Sequence, residues 1–434
     1  MKPFDLPETF MLGVATASAQ IEGGDTNNSW YRWSHQKGNI ADGTNCGITD
    51  DHWNRIDEDI ELMKQMNIDT YRLSLEWSRI EPEKEKFSRD AINHYRDEII
   101  KLKNAGIIPL ITLHHFSNPL WLEDSGGWMN NDVVRHFCDY AEYAFNNLGD
   151  LVSDWVTINE PNVYLIFGYV YGTWPPGKQS IRMYFNGAKN MIASHIAVYK
   201  KIHALASEKG LRHVKVGTCH HLRIFQPKNK SFVEKTICSI LERVFHDIFI
   251  TGMAEGKLLW PLGSGYPFGR GDYQDFFGIN YYTRDIVSFN PLNFGQLFSE
   301  TEVMEGSPVN DLGWEIYPEG LYTLCARYYD RFKKPVFITE NGTCDKSDAF
   351  RTKYIYDHIL QVKKLCEAKV DVQRYYHWTL MDNFEWAEGL SARFGLIDVD
   401  YDTQKRHVRK SGHFFRDICV HRGITQDMIE EYLK

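Results

Sequence analysis

VVRHFCDYAEYAFNNLGDLVSDWVTINEP, residues 133 to 161, holds one complete unit of the fold. Val134, Phe137, Ala141, Ala144 and Leu148 recur at helical spacing and define one apolar face, and Gly149 stops the helix. A short apolar run then leads to Asn159 and Glu160, just before Pro161. The order is amphipathic helix, glycine stop, buried strand, polar strand end.

The same order recurs on both sides. Ile92, Tyr95, Ile99 and Leu102 precede Gly106 and IIPLITLHH, ending at His115; Ile192, Ile196, Tyr199, Ile202 and Leu205 precede Gly210 and VKVGTCHH. Five more strand-like runs, FMLGVATASAQ, IDTYRLSLEW, DFFGINYY, PVFITE and VQRYYHWTL, bring the total to eight. Continuous apolar runs suit strands buried on both faces, as parallel sheets require. Eight such strands predict an α/β fold, a closed (β/α)8 TIM barrel with its site at the C-terminal strand ends. A doubly wound nucleotide-binding sheet is the rival, but no G-x-G-x-x-G follows the first strand and no P-loop motif occurs. No linker or low-complexity tract divides residues 1–434, so one domain is expected, with Arg223 to Gly271 as long loops around a short inserted helix at Phe232 to Phe249.

The composition, 43% hydrophobic and 25% charged, gives ample apolar side chain for a large core. A net charge of -9 argues against nucleic acid, and the Lys228 to Lys230 cluster reads as solvated surface. No segment is long and apolar enough for a signal peptide or a membrane span, which predicts a cytoplasmic protein with no membrane partner. The eight cysteines lack any C-x-x-C spacing and read as free thiols. His114-His115 and His220-His221 lack the frame of a metal motif; neither metal nor cofactor is expected.

Arg72, His115, Asn159, Glu160, Asn280, Glu340 and Trp378 all fall at or near strand ends. One strand-end glutamate is equally well explained by a surface ion pair. Two facing across a barrel mouth make a different chemistry possible. At about 5 to 5.5 Å apart, one carboxylate can attack an anomeric carbon while the other protonates the leaving oxygen, giving retention of configuration. Spacing does not decide which does which. Glu340 is followed by Asn341-Gly342, a turn-forming pair.

TINEP (157 to 161), ITENG (338 to 342), FMLGVATASAQIEG (10 to 23), DNFEW (382 to 386), GINYYT (278 to 283), YRLSLEWSRI (71 to 80) and DLGWEIYPEG (311 to 320) together resemble glycoside hydrolase family 1. The resemblance implies a β-glucosidase-like enzyme that removes terminal β-linked sugars through a covalent glycosyl-enzyme. It implies Glu160 as acid/base and Glu340 as nucleophile, the latter kept charged by Arg72, Tyr282 and Asn280. It further implies that Gln20, His115, Asn159, Glu385 and Trp386 hold the sugar hydroxyls, that Trp378 floors the ring, and that Phe394 and Trp314 border it. The expected partners are small β-glycosides or oligosaccharides.

The chain departs from the family at HHFSNP, where Phe116 replaces a common tryptophan. Phenylalanine offers no N–H to a sugar hydroxyl, so broad use of glucosides, galactosides and fucosides is expected. A 6-phospho-β-glycosidase is the nearest rival, and a charged Glu385 would repel its phosphate. A non-catalytic sugar-binding member or one with glutamine as acid/base conflicts with the presence of both glutamates. A transglycosylase differs only in the acceptor.

Overall fold

The computed structural model describes residues 1–229, 231–293 and 298–434. Lys230 of the basic cluster and residues 294–297 lie outside the described residues. Eight parallel strands alternate with helices: β1 (Met11–Ala15), α1 (His52–Gln65), β2 (Thr70–Ser74), α2 (Arg89–Asn104), β3 (Ile108–His114), α3 (Val133–Leu148), β4 (Asp154–Asn159), α4 (Ile181–Glu208), β5 (Lys215–Pro227), α5 (Ile248–Glu255), β6 (Phe277–Phe289), α6 (Glu319–Phe332), β7 (Val336–Asn341), α7 (Arg351–Glu367), β8 (Val372–Trp378) and α8 (Lys410–His421). Strand pairing runs in sequence order from β1 to β8, β5 on β6 included, and the ring closes by β8 on β1. The fold is the expected TIM barrel.

Parallel strands covered by helices leave little room for water on either face, and β2, β4 and β7 are buried at every residue. The helices earn their places by one-sided apolarity: Ile92, Tyr95, Ile99 and Leu102 on α2, and Phe137, Ala141, Ala144 and Leu148 on α3, are all buried. Ser88 caps α2 by accepting from the Ala91 N–H, and Ser180 caps α4 by accepting from Met183. The eight cysteines are free, and no described helix is long and apolar enough to cross a membrane.

Two local expectations differ. The stretch from Arg223 to Gly271 is irregular mainly after Glu255: at its start β5 and β6 continue beyond the barrel rim as a paired arm, Ile224 opposite Arg284 through Pro227 opposite Val287. Helix Phe232–Glu242 and a π-turn at Arg243–Asp247 follow it and lead into α5. Polar residues alternate along this arm, so no continuous apolar run betrays it. Asn341-Gly342 is not a turn either. Asn341 ends β7, buried, donating to the Tyr281 carbonyl at 2.7 Å. Glycine follows because a Cβ there would stand 1.8 Å from the Trp378 carbonyl oxygen.

The floor of the barrel is polar. Arg374 of β8 donates to Asp154 of β4 at 2.5 Å across the bore, both side chains being almost fully buried, and stacks over Phe337 at 4.4 Å. Breaking one half of a buried pair strands the other charge, which typically costs about 3–5 kcal/mol. Asp154→Ala is therefore expected to lower stability by about 3–5 kcal/mol in urea unfolding, and the double change Asp154→Leu with Arg374→Met by clearly less. A loss under about 1 kcal/mol for the single change would show that the pair holds nothing together.

Candidate active site

At the C-terminal mouth of the barrel the strand register sets polar groups side by side. Asn159 pairs with Cys219, His221 with Asn280, and Asn280 with Glu340, with register shifts just before Asn159 and Asn280. Such irregularities re-aim side chains at barrel rims. Glu160 sits in the left-handed region, φ 42° and ψ 60°, between the end of β4 and a helix that begins at Pro161. Phe116 and Trp386 also have positive φ, 68° and 48°. Each costs about 1–3 kcal/mol for a non-glycine residue, and all three border one cavity.

The Arg72 guanidinium lies in the middle of the constellation, fully buried. It donates to Glu340 Oε1 at 2.5 Å, to Asn159 Oδ1 at 2.6 Å, to the Thr339 carbonyl at 3.2 Å and, from Nε, to Thr112 at 3.1 Å. The Tyr282 hydroxyl donates to Glu340 Oε2 at 2.6 Å. Asn280 stands elsewhere than expected: its Nδ2 donates to Glu160 Oε1 at 2.7 Å and to Asn159 Oδ1 at 3.0 Å, not to Glu340, while its Oδ1 accepts from Thr339 at 2.6 Å. His221 Nδ1 approaches the same Glu160 oxygen at 3.2 Å. One oxygen of Glu160 thus has two partners, and the other is free to face a ligand.

Burial pushes the Glu340 carboxyl up to about 7; Arg72 opposes the shift and Glu160 adds to it. The sequence expectation, in which Arg72, Tyr282 and Asn280 keep Glu340 charged, left out this desolvation. Glu385 is pushed up to about 8, first by burial and then by the charge of Glu340, against hydrogen bonds from Trp378 and Gln20. Near neutral pH it is therefore largely protonated, and its repulsion of a phosphate is weaker than the sequence implied.

The remaining polar groups form a chain with open ends. Asn159 Oδ1 is occupied by Arg72 and Asn280, so its Nδ2 is the atom facing His115 Nε2 at 2.9 Å. Burial, with Arg72 next to it, holds His115 well below the usual histidine range, and the neutral ring then carries its proton on Nδ1. That Nδ1 is buried without a partner, and so is Gln20 Oε1, whose amide nitrogen donates to the Phe384 carbonyl at 2.8 Å. An unpartnered buried donor and an unpartnered buried acceptor are what a hydroxylated ligand completes.

Glu160, Glu340, Tyr282, Glu385, His115, Phe116, Trp314, Trp378, Trp386 and Phe394 all line one cavity of about 1680 Å³, with Arg72, Asn159, Asn280 and Gln20 behind them. The Trp378 and Trp386 rings flank His115 at 5.7 and 5.9 Å, and Trp314 packs on Tyr282 and Phe394 at 5.8 and 5.9 Å. The Phe116 ring meets Trp386 at 5.2 Å and Trp174 at 5.1 Å. His221 was set aside in the sequence with the metal motifs; its place at the end of VKVGTCHH, matching the other strand ends, was the signal for it. His114 and His220 point to Asn118 and Thr218 at 3.0 and 2.8 Å, and among the described residues no group of three or more His, Cys, Asp or Glu could hold a metal.

Comparison with known proteins agrees along the whole chain. The family model for Glycosyl hydrolase family 1 matches residues 3–424. Beta-glucosidase A of Thermotoga maritima is 33% identical, covering 96% of this chain and 98% of the relative, and the beta-galactosidase of Pyrococcus woesei is 30% identical over 99% of both. The solved beta-glucosidase from Thermotoga maritima in complex with glucoimidazole superposes with a TM-score of 0.90 at 31% identity, covering 97% of this chain and all of that one. Matched so fully in sequence and in backbone, the chain belongs to glycosyl hydrolase family 1 and is a glycoside hydrolase.

Proposed function

We propose that residues 1–434 form one catalytic domain, a retaining β-glycosidase that removes terminal β-linked glucose and tolerates galactose and fucose, with Glu340 as nucleophile and Glu160 as acid/base. The observation that carries this reading is the contrast between the two carboxylates. Glu340 receives Arg72 on one oxygen and the Tyr282 hydroxyl on the other, which favours the ionised form a nucleophile needs. Glu160 receives Asn280 and His221 on Oε1 alone, so a proton is best carried on Oε2, facing the cavity.

In the first step a Glu340 oxygen bonds to the anomeric carbon as the bond to the aglycone oxygen breaks, and Glu160 gives that oxygen its proton. Esterified Glu340 has lost its charge. Glu160, now a carboxylate, takes a proton from water as the water oxygen attacks the anomeric carbon and the ester bond breaks. Asn159 is held by Arg72 and Asn280 beside the two carboxylates; His115 Nδ1 and Gln20 Oε1 are available to the sugar hydroxyls. Phe116 gives no N–H there, which supports tolerance at neighbouring hydroxyls, as does the presence of both a beta-glucosidase and a beta-galactosidase among the relatives.

The 6-phospho-β-glycosidase reading lacks a cation. Among the described residues that line the cavity Arg223 is the one Lys or Arg, and it is paired with Asp285 at 2.9 Å. Arg406, near in sequence to the family motif, is bound to Asp59 at 2.9 Å instead.

Three experiments test the proposal. Glu340→Gly should abolish turnover and be rescued by azide as the α-glycosyl azide, whereas Glu160→Ala should still be glycosylated by activated aryl glycosides and give the β-glycosyl azide. Exchanged products would reverse the two roles. Because Glu340 must be ionised to attack and its carboxyl lies at about 7, kcat/KM should be lost as pH falls through that value. Tyr282→Phe removes a donor to the ionised form and should move this acid limb upward; a limb that stays put would mean that another group titrates. With p-nitrophenyl glycosides, the β-glucoside should be cleaved faster than its 6-phosphate, and the galactoside and fucoside at comparable rates. A preference for the phosphate would overturn the substrate assignment, and strict selectivity for glucose would overturn the role given to Phe116.

A further inference from the structure

The cavity is much larger than a single sugar requires. Its volume of about 1680 Å³ exceeds the roughly 300–1,000 Å³ of a usual small-molecule site. The carboxylates and the sugar-facing groups occupy only its inner end, where the barrel strands finish. Its outer wall comes from elements beyond the barrel: the start of α4, the β5–β6 arm and the helical segment after it.

That outer wall is aliphatic and aromatic. Ile181, Phe185, Phe225, Ile240, Leu241 and Val244 line it. Phe225 and Leu241 are anchored from behind by a small separate apolar cluster, Ile237, Cys238 and Val287. Several of the polar groups interspersed with them are already engaged within the protein, whereas Arg223 Nε is buried without a partner. The Tyr184 hydroxyl donates to the Val244 carbonyl at 2.9 Å, the Gln179 amide to the Tyr171 carbonyl at 3.0 Å, and Arg223 pairs with Asp285 at 2.9 Å. Ile181 and Ile240 remain 53% and 38% exposed, and Trp260, also on the cavity lining, is 71% exposed. Exposed apolar side chains gathered on one cavity lining usually mark a contact.

The occupant follows from the chemistry of the wall. A second or third sugar brings several hydroxyls, each of which loses water on binding and needs a partner in exchange. Isoleucine, leucine and valine offer none, and an aromatic ring alone satisfies only the C–H face of a sugar. An alkyl chain needs no hydrogen bond at all. We infer that the outer half of the cavity binds the hydrocarbon chain of an alkyl-type aglycone, so that β-glycosides of long-chain alcohols are better substrates than cello-oligosaccharides of equal length. The inference rests on the reading of Glu160 and Glu340 as the hydrolytic pair, because the chain is held in register with the bond they cleave.

The test is a series of alkyl β-glucosides from butyl to decyl, each below its micellar concentration, beside cellobiose and cellotriose, with p-nitrophenyl β-glucoside as reference. Each methylene buried against the wall should raise kcat/KM about three- to fourfold until the chain outgrows it, and cellotriose should gain little over cellobiose. A flat alkyl series, or a larger gain per glucose unit than per equivalent length of chain, overturns the inference even when the p-nitrophenyl glucoside is cleaved. Failure to cleave the reference at all counts instead against the hydrolytic pair. In Leu241→Asn/Ile240→Asn the ratio of decyl to butyl kcat/KM, read on one sample, should fall at least tenfold; an unchanged ratio would remove the wall as its origin.

Discussion

A guanidinium with no exposure to solvent, in the bore of a barrel, dictates much of what surrounds it. Arg72 cannot shed its charge, and an uncompensated buried cation is too costly to persist. Its donors are therefore met one by one, by Glu340, Asn159, Thr112 and the Thr339 carbonyl, from β2's two neighbours in function, β4 and β7, and from β3 beside it. Fixing Asn159 in this way fixes which end of its amide faces His115, and so which histidine nitrogen is left to a ligand. Fixing Glu340 sets the charge that pushes up the neighbouring Glu385. The orientation of the polar site thus propagates outward from one side chain that itself makes no contact with the cavity.

The same buried setting bears on the acidity of Glu340. Desolvation raises Glu340 while Arg72 restrains it, and a negative Glu160 raises it further. What separates the two acids is the donor geometry: two donors shared between both oxygens of Glu340, two concentrated on one oxygen of Glu160. His221 belongs to this division of labour, stacked on Tyr282 at 5.7 Å and thereby touching the environment of both acids.

The strands were legible in the sequence because burial on both faces writes a continuous apolar run, as in DWVTIN and VFITEN, and because each run ends in a polar residue. The positions of Glu160, Glu340, His115 and Trp378 followed from that ending. Their partners did not. Asn280 reaches Glu160 and not Glu340 because a register shift after Ile279 re-aims it, and a shift of this kind leaves no mark in residue order. Gly342 was read as a turn residue from its neighbour Asn341, although a glycine admitted for close approach to the Trp378 carbonyl looks the same in sequence. The acidities of Glu340 and Glu385 were equally out of reach, since desolvation depends on how the surrounding chain closes over a group.

The division between what was legible and what was not follows the division of the cavity itself. Its inner end is made by strand ends, whose side chains are constrained twice, by the core below and by the hydrogen-bond chain around Arg72. A change there disturbs barrel packing as well as ligand contacts. The outer wall is made by the start of α4, the arm and the helical segment after it; Phe185 and Val244 rest on the main core, Phe225 and Leu241 on a small apolar cluster separate from it. Substitutions at Phe225 and Leu241 face fewer packing constraints, so the chemistry of that part of the wall can alter without moving the carboxylates. The polar inner end is therefore held by the barrel itself, and the aliphatic outer wall is where a preference among leaving groups is physically free to reside.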